Sequence, residues 1–357
     1  MGFESLRTRQ TNLLTHRGKK ALELQSYNTS RNFRCCAMAV MVLVTGAAGF
    51  IGSNLTERLL EQGCEVVGLD NLSSGNRLNL AEALRNARFK FVEGDLSDLK
   101  TTREALGKCT LIFHLAADPE VQRGSEDPNR QLKQNLLATF NLLEAIRIRK
   151  MATRLFFAST STVYGEPALI PTPEGYGPLL PISVYGATKL GCEALIAAYV
   201  QLVPLEAIVF RFANVVGTRA GHGVIVDFIK KLRRNRSELE VLGDGSQSKS
   251  YLHIDDCVDA FLLGLDDSFW RPGVEVFNIG TEDRTNVLEI AQIVIRAMGL
   301  SGVAIRTSPG PDGRGWAGDV KTMQLDIAKI RKRGWRPTKS SGEAVQLACE
   351  QLISQEP

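Results

Sequence analysis

Tyr185 and Lys189 stand four residues apart in a stretch with helical period, Val184 to Val203, so their side chains leave one face of that helix. A phenol beside an ammonium is equipped for acid–base chemistry. A free tyrosine, with a pKa of about 10, is a poor base at neutral pH. A nearby positive charge favours the phenolate and brings the group toward the working range. Chance also produces such pairs as a surface aromatic beside a solvated lysine, so the functional reading needs a third group and an oxidant. Thr160 supplies a hydroxyl just beyond the apolar run Arg154 to Ala158, at a strand end of the kind where α/β proteins place active sites. The three together suit removal of a proton from an alcohol while hydride leaves the same carbon.

The oxidant is announced by Thr45-Gly46-Ala47-Ala48-Gly49-Phe50-Ile51-Gly52, between the run Val42 to Thr45 and the helical stretch Asn54 to Glu61. Alone, a glycine string is an ordinary turn. Between strand and helix, Gly46 permits the tight turn, Gly49 a close approach of backbone to a pyrophosphate, and Gly52 close packing of helix on strand. The helix start at Phe50 and Ile51 then offers free N–H groups and partial positive charge to the phosphates. Asp70 closes the next strand, Glu65 to Leu69, where a carboxylate accepts both ribose hydroxyls and repels a 2′-phosphate, which selects NAD over NADP. By itself Asp70 would be a capping or turn aspartate. Asp95 ends a further strand and suits either the adenine amino group or a turn. With NAD in place, Lys189 suits a hold on the nicotinamide ribose and Thr160 a hydrogen bond to the reacting oxygen.

These residues need a scaffold, and the chain alternates strand and helix to build it. Further strands are expected at Arg88 to Val92, Thr110 to Leu115 and Leu205 to Phe210, with helices at Asn129 to Arg149 and Val184 to Val203. The pattern predicts an α/β, Rossmann-type, doubly wound parallel sheet. After about Phe212 the loops lengthen, and residues 216–357 read as a smaller C-terminal substrate-binding lobe, with 274–280 returning to the main sheet. Residues 41–215 form the NAD-binding domain in this reading. Residues 1–40 carry seven Lys/Arg against two acids, while the remainder is nearly neutral, which gives no nucleic-acid surface. That leader reads as a disordered segment, either preceding the true start at Met38 or Met41 or serving as a transit peptide. The seven cysteines show no CxxC spacing and fit reduced thiols in a cytoplasmic enzyme, or an organellar one if the leader is a transit peptide. The four histidines never pair at metal spacing, so no metal is expected, and no apolar run approaches a membrane span.

Several strings carry a resemblance: Gly46-x-x-Gly49-x-x-Gly52, His114-Leu115-Ala116-Ala117, Ser159-Thr160-Ser161-Thr162-Val163-Tyr164-Gly165, Tyr185-Gly186-Ala187-Thr188-Lys189 and Arg211-Phe212-Ala213-Asn214. From Met41 nearly to the C-terminus the chain resembles the extended short-chain dehydrogenases/reductases, in the NAD-dependent epimerase/dehydratase family. The resemblance implies a catalytic Tyr185, Lys189 and Thr160 acting on a nucleotide-linked sugar. It extends the cofactor contacts to Asn71, Leu96, Leu115, Ala116, Ala117 and Asn135, and the substrate contacts to Thr162 and to Asn214 against a phosphate. For the two asparagines, a satisfied structural hydrogen bond is the competing reading.

Dehydratases of the family place acids just after the catalytic threonine, and related decarboxylases carry a glutamate there. Ser161 and Thr162 are not acidic, which leaves reversible oxidation at one carbon, the pattern of epimerisation at C4 of a UDP-hexose through a 4-keto intermediate. Uronate epimerases, dehydratases and reductases are the rivals within the family, and a non-catalytic NAD sensor the rival outside it. In the C-terminal lobe, Lys249 and Tyr251 follow Gly243-Asp244-Gly245, and Lys249 stands where many relatives have arginine. Gly313-Arg314-Gly315-Trp316-Ala317-Gly318-Asp319 resembles an Arg-x-Gly-Asp segment, but Trp316 takes the arginine's place and Arg314 is displaced by two residues. Surface charge is the plain reading of Lys249 and Arg314. Met323 falls where some relatives border the sugar with tyrosine; flexible, it suits a permissive pocket, or plain core packing. The resemblance also implies a homodimer through helices 129–149 and 184–203.

Overall fold

The computed structural model describes residues 40–121 and 127–355, so the reading of the leader lies outside the described residues except at Val40. The first half alternates as the hydrophobic pattern requires: β1 (Met41–Thr45), α1 (Phe50–Glu61), β2 (Glu65–Asp70), β3 (Phe89–Glu93), α2 (Leu99–Leu106) and β4 (Leu111–His114). A helical turn α3 (Pro128–Gln131), a π-helical turn (Leu132–Leu137) and α4 (Ala138–Arg149) follow, then β5 (Thr153–Thr160), a short 3-10 turn (Ser161–Tyr164), α5 (Val184–Val200) and β6 (Leu205–Phe212). The stretch read as one helix from Asn129 to Arg149 is therefore broken by a π turn, and α5 stops at Val200, three residues before the predicted end. β5 and β6 run two residues further than their apolar runs, because the polar Ser159 and Thr160 and the charged Arg211 are buried with them.

The second half is built from shorter pieces: β7 (Asn214–Val216), α6 (Val224–Arg234), β8 (Glu238–Leu242), β9 (Ser248–Lys249), β10 (Tyr251–His253), α7 (Ile254–Leu262), β11 (Val274–Ile279), β12 (Thr285–Asn286), α8 (Val287–Ala297), β13 (Ala304–Ser308), β14 (Thr322–Met323), α9 (Ala328–Lys332) and α10 (Ser341–Gln355). Seven strands form one sheet in the order β11-β6-β5-β4-β1-β2-β3, and every neighbouring pair is parallel. This is a Rossmann-type doubly wound sheet. β11 lies beside β6, with Phe277 opposite Phe210, so the chain leaves the sheet after β6 and comes back to it.

Both faces of the sheet are covered, which is why β1 buries Val42, Leu43 and Val44 in succession. On one side, Leu43, Ile112, Leu155 and Val209 pack against Leu142 and Ile146 of α4 and Cys192 and Ile196 of α5. On the other, Phe113, Phe156 and Phe210 meet Phe261 of α7 and Trp270 through ring contacts of 4.8–5.8 Å. A separate core serves the second half. Ile225, Phe228, Ile229 and Leu232 repeat along one face of α6 and pack with Ile290 and Val294 of α8 and with Val345 and Cys349 of α10. Among the described residues no helix is long and apolar enough to cross a membrane, and no cluster of potential metal ligands occurs.

Candidate active site

The glycine loop joins β1 to α1. Gly46 has φ +70°, and a Cβ there would sit 2.8 Å from the Ala116 nitrogen; one on Gly52 would sit 2.0 Å from the Gly46 carbonyl oxygen. Any side chain at either position would displace backbone. Helix α1, with Gly49 at its N-cap, starts with no side-chain cap and no acid in its first turn, which leaves its positive end open to a ligand. Asp70, buried at the tip of β2, faces this loop. Its carboxylate accepts from the N–H groups of Ala48 at 2.9 Å and Leu72 at 2.7 Å, one per oxygen, leaving further lone pairs for hydroxyl donors. Burial raises the Asp70 pKa against the pull of those N–H groups. A cradle without Cβ atoms, an uncapped helix start and a carboxylate edge together fit a dinucleotide.

The rest of the cofactor wall is less uniform. Asp95 accepts from Ser97 N–H at 2.7 Å, Gln134 at 3.0 Å and Asn71 at 3.1 Å. Burial opposes its charge, but these bonds outweigh it and hold its pKa below the ordinary value. The turn reading of Asp95 thus has its partners in place, and Leu96 beside it is buried. Leu115 and Ala116 both donate from the backbone to Thr45 Oγ1 at 3.2 Å, which backs the glycine turn with the segment running on to Ala117. Thr45 also bonds buried His114, whose pKa falls to about 3 through burial and the Lys189 charge.

Ser183 caps α5 by accepting from Gly186 N–H at 3.1 Å. Two residues on, Tyr185 is half-buried and shares a side-chain hydrogen bond with Thr160. Lys189, 2% exposed, donates to the Ala158 carbonyl at 2.7 Å and lies 4.7 Å from the Phe157 ring centroid and 5.9 Å from that of Tyr185. Burial pulls Lys189 down to about 8. The Tyr185 phenol was expected to be lowered by this ammonium. Within the protein the reverse holds: burial, with Cys192 and Asp118 nearby, pushes it well above its ordinary value. Thr160 Oγ1 also accepts from Thr162 N–H at 3.2 Å and Thr162 Oγ1 at 3.1 Å. Asn135, inside the π turn, accepts from Asp118 N–H at 2.8 Å and donates to Thr188 at 3.0 Å, so its amide is spent on holding α5 and the loop after β4.

In the C-terminal half, Lys249 on β9 bonds Asp319 at 2.6 Å and stands opposite Met323 on β14. Asn214 and Tyr251 are register partners on β7 and β10; Tyr251 and Met323 are buried. Arg314 grips both oxygens of Glu166 at 2.7 Å and donates to the Asp319 carbonyl at 2.6 Å. Trp316 lies 5.8 Å below the Lys249 ammonium, and its indole nitrogen is buried without a partner. This segment abuts the start of α5: a Cβ on Gly318 would lie 3.0 Å from the Ile182 carbonyl oxygen. Thus Lys249, Arg314, Trp316 and Met323 form one group beside the Tyr185 end of α5.

Sequence reasoning missed Thr45, Asp118, Gln134, Glu166 and Glu193. Only Glu193 had a local signal, four residues past Lys189 on the same helical face. Glu166 meets Arg314 across 148 positions, and Asp118 meets Arg130 only through the fold.

Residues 42–280 match the NAD dependent epimerase/dehydratase family. The chain is 35% identical over 314 residues to the UDP-glucose 4-epimerase of Mycolicibacterium smegmatis, a span covering 86% of this chain and 97% of that one. A crystal structure of a UDP-galactose 4-epimerase superposes with a TM-score of 0.78 at 42% identity, over 88% of this chain and 99% of that one. The UDP-glucuronic acid 4-epimerase of Bacillus cereus, solved with UDP-glucuronic acid and NAD, gives 0.79 at 28% identity, over 88% and 100%. Glycine cradle, Asp70 and the Tyr185–Lys189–Thr160 group agree with that likeness, and the chain belongs to the NAD-dependent epimerase/dehydratase family.

Proposed function

We propose that the protein epimerises a UDP-hexose at C4, of the UDP-glucose/UDP-galactose type, using NAD. The observation that carries this reading is the Tyr185–Thr160–Lys189 group with Ser161 and Thr162, and no acid, in the turn that follows Thr160. The acids around it are engaged elsewhere, Glu166 by Arg314, Asp118 by Arg130 and Glu193 by Arg211. Elimination of water thus has no available carboxylate shuttle, whereas proton removal from one hydroxyl has its base. The names of the similar proteins support C4 epimerisation, and their sugars differ.

In this reading Gly46, Gly49 and Gly52 bed the pyrophosphate, Asp70 takes the adenosine ribose, and Lys189 takes the nicotinamide ribose. Bound NAD supplies the hydride acceptor and a positive ring that favours the phenolate of Tyr185. Tyr185 takes the proton of the C4 hydroxyl, and Thr160 donates to the reacting oxygen as charge builds on it. The 4-keto sugar then presents its other face, to which the hydride would return at C4, and Tyr185 returns the proton to the oxygen. Lys249, Asn214, Tyr251 and Arg314 hold the nucleotide, and Met323 borders the sugar. Residues 41–215 are the cofactor domain, and most of 216–357 covers the substrate. A second copy of the chain seats on the apolar groove of α3–α4. Cys109, Cys192, Cys257 and Cys349 are free and buried, which suits a reducing compartment such as the cytoplasm.

The test is product separation after incubating purified protein with UDP-glucose, UDP-galactose, UDP-N-acetylglucosamine and UDP-glucuronic acid. The expected result is interconversion of the first pair. A 4-keto-6-deoxy product would overturn the reading, and turnover of the uronate alone would move it to the uronate epimerases. Tyr185→Phe should lower turnover at least about 100-fold while leaving UDP affinity intact.

A further inference from the structure

Three successive residues at the end of β5 are each gripped from α5. Thr160 shares its hydrogen bond with Tyr185, and the Ala158 carbonyl accepts from Lys189 at 2.7 Å. Between them, the Ser159 hydroxyl donates to Glu193 Oε1. Tyr185, Lys189 and Glu193 occupy every fourth position, one helical face, so the third grip extends the line of the two catalytic ones. Glu193 takes no part in the chemistry above, yet its side chain is only 8% exposed. An ionised carboxylate survives there because Arg211, 6% exposed, meets it at 2.6 Å through Nη2 and at 3.1 and 3.2 Å through Nε.

Arg211 has a second task. It stands opposite Ser159 on β6, and its Nη1 donates to the Tyr164 hydroxyl at 3.0 Å. Tyr164 ends the turn that begins after Thr160, and it donates in turn to Asn278 on β11 at 2.8 Å. One ion pair therefore holds both ends of the catalytic turn: the Ser159 end through Glu193, the Tyr164 end through Arg211. We propose that Glu193 and Arg211 are positioning residues, a clamp that sets Thr160 against Tyr185 without touching the substrate. The proposal rests on the epimerase reading, and it adds to that reading the origin of the site's geometry.

Glu193→Gln strands a buried guanidinium and stands to lose folding with function. Ser159→Ala is the safer probe, since it removes one grip and leaves the ion pair whole. With the UDP-hexose that wild type turns over, Ser159→Ala should lower kcat about tenfold, as a misplaced reacting group does, with KM and UDP affinity changed less than about twofold. Ser159→Thr, which keeps the hydroxyl, should restore most of kcat. Amide hydrogen exchange read on the holoenzyme should quicken at residues 159–165 in Ser159→Ala and stay unchanged in β1 to β4. Unchanged kcat with unchanged exchange would overturn the clamp, as would a loss confined to KM. If wild type turned over no UDP-sugar, the epimerase reading would fail first, and the exchange result would decide the clamp by itself.

Discussion

Lys189 is held at a cost to folding. It is 2% exposed, and burial brings its pKa to about 8. An unfolded chain keeps that proton to about pH 10.4. Between those values the unfolded state binds more protons, so folding gains stability as pH rises from about 8 toward 10, and the full cost is present below 8. Lys189→Met should therefore melt at a higher temperature than wild type at pH 7 while losing turnover, and its advantage should shrink across pH 8–10. Thermal melts of both proteins at several pH values check this; an advantage that grew with pH would contradict it. The pairing of Tyr185 with Lys189 was legible in the chain because helical spacing is a local property. The sense of the Tyr185 shift was not, since burial depends on what the fold packs around the ring. Asn135 shows the same limit. The family resemblance singled it out, with a structural hydrogen bond as the competing reading, but its partners Asp118 and Thr188 come from other elements.

At the scale of elements, the helical stretch before β5 departs most from its expected form. The π turn Leu132–Leu137 puts Asn135 where its carbonyl accepts from Thr139 Oγ1 at 2.7 Å and from Cys192 Sγ at 3.5 Å. Such a turn widens the helix by a residue and recurs at functional sites, and nothing in the apolar period of 129–149 marks it. The same stretch leaves Leu132, Leu137 and Phe140 exposed by 51%, 41% and 39%, beside a groove of about 520 Å³ shared with Leu136 of the π turn and Leu195 of α5. Apolar side chains grouped and exposed on one helical face suit a self-complementary contact about a two-fold axis. Sedimentation of wild type at micromolar concentration should give a dimer, and Leu132→Glu with Leu137→Lys should give a folded monomer. A monomeric wild type would remove the second copy from the reading. Strands were easier to read than this helix: all six expected strands of the first half formed, and β1, β4, β5 and β6 are nearly continuous buried runs of the kind parallel strands require.

Across the whole molecule, ion pairs join the sheet domain to the segments that follow it. Arg219 reaches Glu57 at 2.8 Å, Arg58 reaches Asp259 at 2.8 Å, and Arg314 grips Glu166. In the proposed reading the last pair bears on affinity, since a diphosphate held by Arg314 would compete with Glu166 for the guanidinium. Half-exposed pairs of this sort are worth up to about 1 kcal/mol. Glu166→Gln should then tighten UDP binding severalfold in low salt, and Arg314→Ala should weaken it; calorimetric titration decides. Unchanged affinity in both would make Arg314 a tie between the halves and leave the phosphates to Lys249. These pairs were illegible from sequence because their partners lie far apart along the chain, whereas the return of β11 was announced by its own apolar run. That return has a consequence in time. On the ribosome β6 emerges before β11, and about 70 residues, synthesised at about 5–20 per second, separate partners such as Phe212 and Ile279. For several seconds the nascent sheet shows an open edge along β6, with N–H and C=O groups ready to pair with any passing strand. The length of lobe placed between two neighbouring strands thus sets how long each newly made chain is vulnerable to misassembly.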